Sequence, residues 1–133
     1  MKTITIDGKA FEIDSNAYTF VKYKSIFKTG IIEDMQKIEI YLAKQQVYTS
    51  QFKEAGLSDV EIAALVSEKM QSEVDEFVIR LTQIAWILIY SANEKIEPYE
   101  QWLKNIKHFK IDDKWISEVT EFAVKSFCWW KIK

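Results

Sequence analysis

Chain reversals, redox chemistry and long apolar runs are all scarce in this sequence. Its 133 residues hold three glycines and one proline. So few turn formers exclude a many-stranded sheet, which needs a turn signal roughly every 8–12 residues. The single cysteine, Cys128, rules out an internal disulfide and suits a reducing compartment. With one histidine, His108, and one cysteine, no zinc site of the usual ligand set can be assembled. His108 lies between Lys107 and Phe109, with no nucleophile or orienting acid beside it, and is expected as an exposed loop residue. Glycine-rich phosphate loops and calcium-type acidic loops are absent from the sequence. The apolar run over residues 84–90 is shorter than the ~20 residues a membrane span needs. The first eight residues lack the charged start and apolar stretch of a signal peptide. An excess of one charge is also missing. The net charge is −2 with acids and bases interspersed, whereas a nucleic-acid binder shows a basic face.

Aromatic surface is what the chain has in quantity: five Trp, six Tyr and eight Phe. Few turns and many aromatics predict a mainly α, compact helical domain of about five helices with a short N-terminal β-hairpin. The hairpin is expected over residues 2–14. Ile4 and Ile6 alternate with threonines, Phe11 and Ile13 alternate on the return, and Asp7-Gly8 between them is a two-residue turn signal. A helix is expected over 16–29, capped by Ser15 or Asn16 and ended by Gly30 as the left-handed residue. A second is expected over about 32–53, with Ile31, Met35, Ile38 and Leu42 as one stripe.

Ser58 and Glu61 form a capping box, with Leu57 and Ile62 placed as a hydrophobic staple. Helical spacing then runs unbroken through Val66, Met70, Val74, Phe77, Leu81 and beyond, to about residue 92. A single helix of that extent would be ~50 Å long at 1.5 Å per residue. A domain of this size has a radius of gyration of only ~14 Å. Either the helix breaks near residues 71–75 or its first half projects from the body as an assembly element. Pro98 fits the first position of a short helix over 98–106, and Asp112 or Asp113 the cap of a last helix over 113–130.

Phe20, Phe27, Phe77, Trp86, Trp102, Phe122 and Phe127 are expected in the core. Trp129 and Trp130 sit about 100° apart on a helix, so both cannot face one core. Tyr41, Tyr48 and Phe52 stand in a polar setting. These five aromatics, Tyr41, Tyr48, Phe52, Trp129 and Trp130, are the candidate partner-binding residues, because exposed Tyr and Trp are preferred interface anchors. Glu73, Asp75 and Glu76 read as a solvated helix face, and Cys128, among Phe127, Trp129 and Trp130, as a buried inert thiol. No catalytic, metal-binding or cofactor-binding residue is expected, and the chain reads as a binding protein.

The order of elements resembles the tail assembly chaperones of long-tailed phages and prophages of Gram-positive hosts. The likeness runs through the Asp-Gly hairpin, a helix with Tyr23-Lys24 and Phe27, then Glu33-Asp34. It continues in the apolar helix from Leu81 to Tyr90, in Ala92-Asn93-Glu94-Lys95-Ile96, in Glu100-Gln101-Trp102-Leu103 and in the aromatic final helix. Gly30 and Glu33-Asp34 fall later than in the family's pattern, and residues 45–76 have no counterpart in it. The resemblance implies a cytoplasmic, non-enzymatic protein of the host cell that binds the tape measure protein. It also implies help in polymerising the tail-tube protein, self-association, departure before the virion is complete and, in many members, a longer frameshifted form. Two other classes fit less well. A tail completion or head–tail connector protein would stay in the particle. A helical transcription regulator would need basic residues on a recognition helix, and the one arginine, Arg80, lies in an apolar helix.

Overall fold

The computed structural model describes residues 1–128. It is mainly helical, with an N-terminal two-stranded hairpin and six helices among the described residues. Strands β1 (Lys2–Ile6) and β2 (Lys9–Ile13) pair antiparallel, Ile4 opposite Phe11 and Ile6 opposite Lys9. The turn needs two successive left-handed residues. Asp7 at φ 51° and Gly8 at φ 78° supply them, which matches the right-handed twist of the strands. Ile4, Ile6 and Ile13 are buried on the inner face. Beyond the hairpin the Asp14 amide donates to the Leu88 carbonyl at 3.1 Å, docking the strand end on the central helix.

Helix α1 (Ala17–Phe27) starts at Asn16, whose side chain accepts from the Thr19 amide while the Thr19 hydroxyl accepts from the Asn16 amide. The same hydroxyl meets Ser91 Oγ at 2.6 Å and so ties the start of α1 to the end of the central helix. The left-handed residue that ends α1 is Lys28 at φ 70°, not Gly30. Gly30 is extended and precedes α2 (Ile31–Glu54) as its cap. The reason is spacing. Ending α1 at Lys28 leaves Thr29 and Gly30 to cross to α2, and its first turn then brings Asp34 back toward α1.

That return buries a polar knot. Asp34 is 2 % exposed, and its Oδ2 accepts from the Tyr23 hydroxyl at 2.5 Å and the Thr29 hydroxyl at 2.7 Å. Arg80 Nε stands 3.9 Å from Oδ1, and the Arg80 guanidinium also holds Glu76 at 2.9 Å. The Tyr23 hydroxyl donates to the carboxylate, and Gln83 Oε1 lies within hydrogen-bond reach of the same hydroxyl at 3.2 Å. Burial first, then the Asp34 carboxylate, push the Tyr23 phenol far above its ordinary range.

Helix α2 ends in a Schellman turn. Gly56 takes φ 82°, the Leu57 amide reaches the Phe52 carbonyl at 3.3 Å and the Gly56 amide the Lys53 carbonyl at 3.1 Å. Helix α3 (Asp59–Met70) follows with the capping box in place: Glu61 N to Ser58 Oγ 3.3 Å, Ser58 N to Glu61 Oε1 3.0 Å. Residues 71–73 form a turn, and α4 (Val74–Ala92) begins after it. The helical spacing of 59–92 is therefore divided between two helices, and α3 folds back along α2.

Helix α4 is the centre of the fold. Every residue from Ile84 to Ile89 is buried, because α1, α2, α5 (Tyr99–Lys104), α6 (Lys114–Phe127) and β2 all pack on it. Pro98 caps α5 from outside the helix instead of occupying its first position. Asp113 precedes α6 but makes no side-chain cap. Its carboxylate instead accepts from the Lys110 amide at 3.1 Å. Phe77, Trp86, Trp102 and Phe127 are buried. Phe27 and Phe122 are half-buried. Phe20 stays 39 % exposed, meeting Phe127 edge-on at 5.6 Å. Trp115 joins the core, packed on Phe109 at 6.0 Å. No described helix is long and apolar enough to cross a membrane.

Candidate partner-binding cleft

Residues 41, 45, 48, 49 and 52 fall within one side of a helix by the 3.6-residue repeat. On α2 this places Tyr41, Gln45, Tyr48, Thr49 and Phe52 on a common face. On α3 the spacing of four sets Ile62, Val66 and Met70 in a second row, all buried. Tyr41, Gln45 and Thr49 of the first row and the whole of the second wall a cleft of about 510 Å³, which Tyr48 and Phe52 do not line. Tyr41, Ile62, Val66 and Met70 line it, Val74 and Ile111 close it on the body side, and the polar rim is Gln45, Thr49, Ser67 and Gln71. Asp59, at the start of α3, is the one charged lining residue among those described.

The floor is fixed from below. Tyr41 is 6 % exposed and stacks on Phe77 of α4, ring centres 4.2 Å apart and planes 15° apart. Burial, then the nearby Glu73 carboxylate, raise the Tyr41 phenol above its ordinary pKa, so it is a neutral donor at physiological pH. Lys44 and Glu73 pair at 3.0 Å and clamp α2 to the turn after α3. Of the expected anchors, Tyr41 is thus a core ring that paves the cleft rather than an exposed contact. Tyr48 and Phe52 are half-buried and stacked on each other, centres 6.4 Å apart. Trp129 and Trp130 lie outside the described residues.

The α3 row was legible as a helical stripe, but nothing local marks it as a cleft wall. Ile111 comes from the loop before α6 and had no sequence signal at all. His108 is exposed in that loop and Cys128 is buried. Among the described residues no group of three His, Cys, Asp or Glu side chains is placed to hold a metal ion. What the cleft offers is apolar contact flanked by uncharged amides and hydroxyls, the surface that an amphipathic helix buries against. No family model, curated protein or solved structure matches the chain.

Proposed function

We propose that this protein is a phage tail assembly chaperone that holds helical segments of the tape measure protein before the tail tube closes around them. It acts by binding, without catalysis, and leaves before the particle is complete. The observation that carries the reading is the cleft between α2 and α3, with its paired rows of Tyr41 and of Ile62, Val66 and Met70. A tape measure protein is a long helical chain whose apolar stripes aggregate unless covered. A trough with an apolar floor and a polar rim whose one charge is Asp59 masks such a stripe while sparing its charged face. The same family resemblance names the tail-tube protein and further copies of the chaperone as additional partners.

Co-expression with the tape measure protein of the same genome tests the proposal. The expected result is a soluble complex, lost when Ala63 or Ser67 is changed to Arg. Both line the cleft and both are exposed, so the substitutions block it without entering the core. Each variant should keep its stability within about 0.5 kcal/mol. Tape measure protein that stays insoluble with the wild type, or a complex indifferent to A63R and S67R, refutes it. Mass spectrometry of purified particles is expected to find no copies of this chain; its presence there would mark a structural tail or connector protein instead.

A further inference from the structure

The hairpin has two unequal edges. Its two-residue turn makes Ile6 and Lys9 the first hydrogen-bonded pair, and the register makes Ile4 with Phe11 and Lys2 with Ile13 the next. The residues between them therefore turn their backbone N–H and C=O outward: Thr3 and Thr5 on β1, Ala10 and Glu12 on β2. On the β2 side the next outward residue is Asp14, whose amide is taken by the Leu88 carbonyl of α4, and Glu12 adds a charge. On the β1 side, among the described residues, no hydrogen bond reaches Thr3 or Thr5 from another element, and both are exposed. Native edges are blunted by charge, proline or a bulge. Neither threonine position supplies one. The pairing is regular from Lys2 to Ile6, and the one charge on β1, Lys2, is drawn to Glu118 of α6 at 3.6 Å.

We propose that β1 is a dimerisation edge, pairing antiparallel with β1 of a second copy to give one continuous sheet in the order β2-β1-β1-β2. The occupant follows from the spacing of the outward groups. A two-fold axis through Ile4 sets Thr3 opposite Thr5 of the second copy, and each such pair exchanges both of its N–H···O bonds. Every outward donor on the edge then meets an acceptor, so an identical chain is sufficient. A shift by two residues carries one threonine of each copy past the end of the facing strand and loses its bonds. The side chains agree with this register. Ile4 meets Ile4 on the inner face, Thr3 meets Thr5 on the outer face, and Lys2 lies opposite Ile6, so no like charges are opposed. Residues 3–6 are all β-branched, the type that fits a pleated surface. Such a pairing gives the self-association within the chaperone reading its geometry, but it stands on the hairpin alone and holds without that reading.

Two matched substitutions test the edge. Thr5→Pro removes an outward amide from β1, and Ala10→Pro removes the one opposite it on β2. Neither amide serves the hairpin's own ladder, so both variants are expected to fold, with equal urea midpoints. Sedimentation equilibrium of the full-length protein up to about 1 mM should show the wild type in monomer–dimer exchange. Thr5→Pro is expected to weaken the dimer roughly tenfold or more, having lost a bond in each copy, while Ala10→Pro leaves it unchanged. Amide exchange of the wild type gives a second reading, free of substitutions. The Thr3 and Thr5 amides should exchange freely in dilute solution and slow several-fold at about 1 mM, while those of Ile4 and Ile6 are protected throughout. A chain that stays monomeric, a dimer that answers to both prolines alike or to neither, or exchange at Thr3 and Thr5 that ignores concentration overturns the proposal. Protection of those amides only when tape measure protein is added also overturns it, assigning the edge to that partner. A dimer without any tape measure complex would leave the edge standing and remove the chaperone function; a complex formed by a chain that stays monomeric would do the reverse.

Discussion

Changing Asp34 to Ala should unfold this protein more readily than any surface substitution, and the geometry says by how much. The carboxylate accepts from Tyr23 at 2.5 Å and Thr29 at 2.7 Å while 2 % exposed. Hydrogen bonds to a charged acceptor contribute about 1.5–3 kcal/mol each. Removing the acceptor also leaves two hydroxyls to find new partners inside the fold. Loss of the buried charge offsets part of this, since holding a carboxylate out of water is itself costly. The net expectation is a loss of about 3–5 kcal/mol. Tyr23→Phe should cost about 2 kcal/mol, from one charge-assisted bond. Because the two groups share that bond, the double variant D34A/Y23F should be less destabilised than the sum of the singles, by about 1–2 kcal/mol. Urea denaturation followed by tryptophan fluorescence measures all three, with an unchanged m-value as the sign that the native state is otherwise intact. A D34A loss under about 1 kcal/mol, or strict additivity, would show that the knot does not join α1 to α2 as described.

Three further outcomes follow from the structure. The folded-state pKa of Tyr23 is raised above its unfolded value; its contribution is therefore complete below pH ~10 and is lost as pH climbs beyond, because the unfolded chain releases its proton first. Stability should fall above pH ~10 by up to ~1.4 kcal/mol per pH unit for this group, and Tyr23→Phe should reduce the slope without abolishing it, since Tyr41 and Tyr99 are raised in the same direction. Lys28 holds φ 70° with a side chain that prefers otherwise, so Lys28→Gly should stabilise by about 0.5–1 kcal/mol, read as a higher urea midpoint. Trp102 is buried, yet its indole Nε1 finds no acceptor among the described residues. Trp102→Phe should therefore cost under about 2 kcal/mol by the same assay, less than the 3–5 kcal/mol of truncating a buried Trp to Ala.

Local physics made much of this chain readable. Asp7-Gly8 specifies a hairpin turn because few residue pairs accept two left-handed conformations in succession. Ser58 and Glu61 mark the start of α3 because their hydrogen bonds close within one helical turn. The apolar run at 84–90 announced a buried helix by composition alone. The failures are positions where two neighbours compete for one role. Lys28 ends α1 although Gly30 is the better left-handed residue, because the turn must deliver Asp34 to Tyr23, and that contact is invisible in the local sequence. Pro98 sits one step before the first helical position its residue type suggests, and Asp113 holds the expected cap position of α6 while its carboxylate bonds to the Lys110 amide instead of the helix.

The candidate site shows the same division. The helical repeat alone puts Tyr41, Tyr48 and Phe52 on one side of a helix and Ile62, Val66 and Met70 on one side of another. That Tyr41 and the α3 row meet across a cleft, while Tyr48 and Phe52 lie outside it, follows from contacts between elements. The turn at Gly56 reverses the chain so that α3 runs back along α2, and the break at residues 71–73 separates it from α4. Tyr41 became floor and not anchor for the same reason: Phe77, distant in sequence, stacks beneath it. Periodicity specifies which side chains share a face. What covers that face depends on contacts between residues far apart in the chain, and those exist only once the chain has closed on itself.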